Sequence, residues 1–409
     1  MLQKISLSAF TLVFLILLCV GSAVALTEVY GTIYADSTWS IAGSPFIVTG
    51  DVTIANDATL TIDPGVVIRL NSSRSMQVNG VLEVLGELGS PVVFTSYRDD
   101  LYGGSGGAVQ GDWGRLWLYE PDSACLFRHC IIRYAGWNYG TAISARGSGV
   151  SVVLDSCEVV ATKNAGKGAV HSEYGATLDI TGGVIRNNNT TGIYANGNLD
   201  LEGCTLTENT GHGVWCSGTS SVLSGNVSSG NGGYGYLVHA HTIDEVINYN
   251  TNTGNGYSNS VGVYGGSIWG VATWDSRASY EVVSDFTVAN DATLTIDPGV
   301  VIRLNSSRSM QVNGVLEVLG ELGSPVVFTS YRDDLYGGSG GAVQGDWGRL
   351  WLYEPDSACL FRHCIIRYAG WNYGTAISAR GSGVSVVLDS CECASSNQMR
   401  QLVPKTNRH

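Results

Sequence analysis

The chain has 409 residues, a formal net charge of −13, 54 glycines and only 14% charged residues. Globular proteins average about 25% charged residues, so the usual stock for solvated helix faces is missing, and the abundant Val, Ile, Thr, Tyr and Gly point to strands and turns. The acidic balance argues against a nucleic-acid partner, which needs a basic footprint; it suits extracellular solubility or cation binding without choosing between them.

In chain order, residues 1–25 come first. Lys4 is a positive start, Leu12 to Val20 an unbroken apolar run, and Ala23-Val24-Ala25 an A-x-A cleavage site. Together they predict a secretory signal peptide, too short for a stable membrane span. Leu18 stands where a lipidated Cys19 would need a small residue. No later stretch reaches spanning length, so the expectation is a secreted or cell-surface chain with no membrane span after cleavage. Ten cysteines include Cys19; the odd remainder, irregularly spaced, predicts mostly buried thiols rather than a disulfide framework.

Residues 26–262 form the first predicted domain. Strands are expected where apolar residues alternate, as in Ala58-Thr59-Leu60-Thr61-Ile62, Met76 to Val84 and Thr177-Leu178-Asp179-Ile180. Asp63-Pro64-Gly65 and Asn79-Gly80 read as turns. A glycine-rich loop, Tyr97 to Gly111, interrupts the pattern with Arg98, Asp99 and Asp100, and Asp112 follows it. Aromatic residues then crowd together: Trp113, Trp117, Tyr119, Tyr134, Trp137 and Tyr139. Phe127-Arg128-His129-Cys130, Leu154-Asp155-Ser156-Cys157 and Leu201-Glu202-Gly203-Cys204 share a second pattern, with His129 expected on the outward face.

From Asn164 onward a finer repeat emerges. Asn, three residues, then Gly recurs at Asn164, Asn188, Asn209, Asn231 and Asn252, with spacings of 24, 21, 22 and 21. A period near 22 residues accommodates one coil of three short strands and their turns. Stacked coils lie about 4.8 Å apart, so these asparagines are expected to form an axial ladder joined by their side-chain amides. Cys130, Cys157 and Cys204 are expected to form a discontinuous ladder of small buried side chains. His239 and His241 fall on one predicted strand face, too few for a metal site.

Residues 263–392 form a second, truncated unit. Ala289 to Glu392 repeats Ala55 to Glu158 without a single change, an offset of 234. It copies the opening coils but none of the Asn ladder, so lower order is expected there. The tail, 393–409, abandons the pattern. Sequons at Asn71, Asn188, Asn189, Asn226 and Asn305 are candidate glycan sites, but a buried ladder residue such as Asn188 cannot carry one.

Asp51-Val52-Thr53-Ile54, the string Ala58 to Ile68, Gly80-Val81-Leu82, Gly89 to Ser96 and Asp112-Trp113-Gly114 together resemble the pectin-lyase-like right-handed β-helix superfamily, in particular secreted surface β-helix proteins of archaea and bacteria. The resemblance implies an all-β right-handed parallel β-helix in two units, the second incomplete. It leaves activity open, because the superfamily includes lyases, hydrolases, adhesins and surface-layer components.

Gly211-His212-Gly213 matches a Gly-His-Gly of polygalacturonase-like hydrolases on this fold, but the accompanying Asn-Thr-Asp and Arg-x-Lys are missing. His212 also occupies a variable slot, filled by Lys167, Thr191, Tyr234 and Asn255 in the other coils. Asp99, Asp100 and Asp112 are candidate Ca²⁺ ligands, and Asp99 and Asp100 with His212 are the only catalytic candidates. Trp113, Trp117, Trp137 and Tyr139 are candidates for stacking on sugar rings. The expectation is a structural, adhesive or glycan-binding protein with a polysaccharide or envelope glycan as partner. The alternative is an extracellular lyase or hydrolase acting on acidic polysaccharide.

Overall fold

The structure, a computed structural model, describes residues 26–394 apart from 164, 165, 174, 245, 247–249, 258 and 383. The signal sequence, Asn164 and the tail from 395 onward lie outside the described residues.

One coil shows why this sequence folds as it does. Thr59–Ile62, Val67–Leu70 and Met76–Val78 are three short strands on three faces. Each pairs in parallel with its counterpart in the next coil: Thr59 with Val81, Val67 with Val93, and Met76 with Leu116. Period-two alternation sends Leu60, Ile62, Ile68, Leu70, Met76 and Val78 fully inside. Burial of each such side chain contributes about 1.5–3 kcal/mol. The corner at Asn79-Gly80 requires glycine, because a Cβ at Gly80 would collide with the carbonyl oxygens of Ala55 and Ala58. Repetition gives an all-β parallel solenoid of about 15 turns around one continuous apolar core.

The asparagine ladder is present. Asn188, Asn209 and Asn231 are buried, and each side-chain amide donates to the next along the axis: Asn188 to Asn209, Asn209 to Asn231 and Asn231 to Asn255, all at 2.9 Å. The last rung corrects the expected register. Asn255, not Asn252, occupies it: Asn252 lies within the strand Thr251–Thr253 opposite Ser228, three residues before the rung, and its Oδ1 accepts from Asn255 Nδ2 at 2.8 Å. The sulfur line is discontinuous as expected. Cys130 meets Cys157, Gly183 fills the following coil, and Cys204 follows with its sulfur 3.4 Å from the Gly183 N–H. Asn226 then continues the same line, its Oδ1 accepting from Cys204 N at 2.8 Å. Asn226 is therefore, like Asn188, a buried sequon that cannot carry a glycan.

His239 and His241 do not share a strand face. Ala240–Thr242 is a 3₁₀ turn capped by His239, whose ring accepts from His241 N at 3.2 Å, and both rings pack against Trp269. His129 and His363 sit half-exposed with left-handed backbone, φ 43° and 41°.

The junction of the two units has an unexpected geometry. In the first unit, Val67–Leu70 belongs to the second face and Met76–Val78 to the third. The third-face line runs on through Val214–Cys216, Tyr236–Val238 and Val261–Val263 to Tyr280–Val282 and then Val301–Leu304. Val301–Leu304 is the copy of the second-face strand Val67–Leu70. The duplicated block therefore continues the same stack, but rotated by one face.

Candidate functional site

Outward side chains of the continuous third-face line form a row in strict register. It runs Trp117, Ser144, His171, Tyr194, Trp215, Leu237, Gly262, Glu281, Arg303, Thr329. Stacked coils put equivalent positions about 4.8 Å apart, close enough for neighbouring rings to touch. Tyr194 and Trp215 stack at 3.9 Å, Tyr264 meets Trp215 edge-on at 4.6 Å, and His171 flanks Tyr194 at 5.2 Å. A second row beside it comes from the turn slot of the asparagine repeat: His212 stacks on Tyr234 at 5.6 Å, and Tyr257 sits 5.1 Å from Tyr234.

His212, Tyr234, Tyr257 and Tyr264 wall a cleft of about 710 Å³, within the usual size range of ligand sites, while Tyr194 and Trp215 line an adjoining pocket that shares His212, Leu237 and Tyr264 with it. Tyr331 and Gly337–Ser339 of the second glycine-rich loop close the far side of the cleft. At its floor Glu281 accepts a 2.6 Å hydrogen bond from the Tyr234 hydroxyl and lies 3.6 Å from Arg303. Arg303 donates to the Tyr336 carbonyl at 2.8 Å and to Ser260 Oγ. Burial pushes the Glu281 carboxyl above its ordinary range, against the opposing pull of Tyr234 and Arg303. Burial, and then the Glu281 charge, raise the Tyr234 hydroxyl in turn. The Asn305 side-chain oxygen is buried at the cleft without a partner among the described residues.

This floor exists only at the junction. Arg303 copies Arg69, and Glu281 stands where the first unit has Ile47 opposite Arg69. Arg69 hydrogen-bonds to the Gly103 carbonyl instead. One identical strand thus lies against isoleucine in one unit and against a carboxylate in the other.

His212 is a packed imidazole. Its Nδ1 accepts from Tyr234 N at 2.9 Å, and burial lowers it to about 4. His171, 3.2 Å from Glu173, is likewise lowered to about 4 because burial outweighs the carboxylate. In the unfolded chain both titrate near 6.5. The unfolded state thus binds more protons between the two values, and the stability these rings contribute is complete above about pH 6.5 and declines as pH falls toward 4. Imidazole NMR titration should place both midpoints near 4, with the urea midpoint lower at pH 5 than at pH 7; midpoints near 6.5 would refute this.

The other sequence candidates lie elsewhere. Asp99 is buried, accepting from Thr95 Oγ1 at 2.6 Å and paired with Arg133 at 3.4 Å. Asp112 accepts from Ser96 Oγ at 2.6 Å and Val109 N at 3.0 Å and meets Arg98 at 3.5 Å. These contacts tie down the loop, while Asp100 is exposed. No group of three or more His, Cys, Asp or Glu gathers as for a metal ion among the described residues. Trp113 is corrected as a stacking candidate. It is fully buried in the apolar core, and its indole N–H donates to the Arg133 carbonyl at 2.6 Å. Trp117 and Tyr139 have the Arg115 guanidinium over their rings at 4.4 and 4.1 Å. Trp137 is 38% exposed; none of these four lines the cleft. The sequence reading missed Tyr194, Trp215, Tyr257 and Tyr264, although an aromatic residue near each repeat was the available signal.

Residues 118–284 match the family described as a right handed beta helix region. Searches of curated proteins and of solved structures returned no match. The matched segment supplies the asparagine ladder and both aromatic rows, and the coils on either side pair with it strand by strand. The pectin-lyase-like superfamily fits this architecture, and the chain is a right-handed parallel β-helix repeat protein.

Proposed function

We propose that this chain is an exported β-helix protein that binds a neutral glycan in the junction cleft and does not cleave it. The observation that carries this reading is the group of rings His212, Tyr234, Tyr257 and Tyr264 lining a cleft whose floor offers hydrogen-bonding groups, continued by Tyr194 and Trp215 in the adjoining pocket. Sugar rings present apolar faces to aromatic side chains and hydroxyls to polar ones. A neutral ligand is favoured because Arg303 is already engaged by Glu281 and the chain is acidic overall, which disfavours polyuronates. Glycoside hydrolysis ordinarily uses two carboxyl groups about 5–9.5 Å apart, and Glu281 is the one carboxyl lining this cleft among the described residues.

Purified chain on a glycan array should retain neutral oligosaccharides, with no new reducing ends released over hours. Release that disappears in Glu281→Gln would replace this reading with hydrolysis.

A further inference from the structure

We propose that Cys130–Cys157 and Cys364–Cys391 are two coil-to-coil disulfide sites, oxidised by exchange with an external disulfide. The proposal is independent of the glycan reading.

The geometry is specific to these pairs. Cys130 and Cys157 immediately precede the paired residues Ile131 and Glu158, so they face each other across adjacent parallel strands, with sulfurs 3.2 Å apart. Cys364 and Cys391 repeat this before Ile365 and Glu392, with sulfurs 3.1 Å apart. Parallel neighbours hold their Cα atoms about 4.8 Å apart, inside the window of roughly 4.4–6.8 Å that a disulfide bridges. Cys204 and Cys216 lack such a neighbour among the described residues. Gly183 separates Cys157 from Cys204, whose sulfur donates to the Ile180 carbonyl at 3.3 Å. Cys216 meets Ser221 Oγ at 3.3 Å.

In the reaction, one thiolate attacks a sulfur of the external disulfide and releases a thiol. The partner thiolate then attacks the mixed disulfide, forming the Cys–Cys bond and releasing the second thiol. Each pair loses two protons and two electrons, and the external disulfide is reduced to two thiols. All four sulfurs are buried in the closed stack, and burial holds the Cys130 thiol well above its ordinary range. Exchange needs an accessible thiolate, so oxidation belongs to the stage before these coils close. Each bond would tie one coil to the next across 27 residues.

The test uses the full chain, both exported to a bacterial periplasm and refolded from denaturant in reduced and oxidised glutathione. Denatured samples are alkylated with iodoacetamide before and after reduction. Four more alkyl groups after reduction are expected, and tryptic maps should link His129–Arg133 to Gly147–Lys163 and His363–Arg367 to Gly381–Arg400. The two His-Cys-Ile-Ile-Arg peptides are identical in sequence, so Cys130→Ala assigns them: it should remove only the link to Gly147–Lys163. Equal alkyl counts before and after reduction would overturn the proposal, as would links through other cysteines, such as Cys391 to Cys393.

Discussion

Asn209→Ala is expected to destabilise the chain by about 3–5 kcal/mol, measured as the loss of unfolding free energy in urea. Asn209 uses every hydrogen-bonding atom of its side chain. Its amide donates to the Ile185 carbonyl at 3.0 Å and to Asn231 at 2.9 Å, and its oxygen accepts from the Asn188 backbone at 3.3 Å and side chain at 2.9 Å. Truncation strands the Asn188 N–H and one hydrogen of the Asn188 amide where water does not reach. Each buried group left without a partner costs about 1–3 kcal/mol, and the rest follows from the broken ladder above and below. Asn189→Ala is the matched control. Asn189 is exposed and only accepts from Thr210 Oγ1 at 3.2 Å, so its loss should stay within about 0.5 kcal/mol. Similar losses for both variants would remove the ladder from the account of stability.

The second large effect concerns recognition. Trp215→Ala should weaken glycan binding by about 2 kcal/mol, the scale at which a tryptophan anchor contributes to an interface, or roughly thirtyfold in Kd, because Trp215 lines the adjoining pocket and props Tyr264 in the cleft wall. Trp215 lies between Tyr194 and Tyr264, so its removal also loosens both neighbours. Trp137→Ala, outside the cleft, should leave binding near wild type. Isothermal titration with an array-selected oligosaccharide checks both variants, and the reverse order of effects would move the site to the aromatic cluster after the first loop.

The repeat was legible because stacking imposes it. A side chain that must meet its own kind every coil leaves a period near 22 residues, and Asn188, Asn209 and Asn231 follow it. The same logic identified Cys130, Cys157 and Cys204 as one line. Asn255 escaped because a spacing of 21 from Asn231 pointed to Asn252, which pairs with Ser228 and stands three residues short of the rung. The cleft was harder to read. Glu281, Tyr234 and Arg303 have no shared motif, and they meet only because the duplicated block joins the stack one face round. Alternation alone does not encode the register between units. The histidine slot was a better guide than it looked: His212 is indeed interchangeable with Tyr234 as a turn residue, and both supply ring faces to one wall.

The rotation at the junction also governs how the molecule presents its two identical loops. Asp99 and Asp333 anchor them with matching bonds to Thr95 and Thr329, yet the loops leave the rod from different sides. Only the second loop, through Tyr331 and Gly337–Ser339, therefore reaches the junction cleft, and two loops of identical sequence have unequal surroundings.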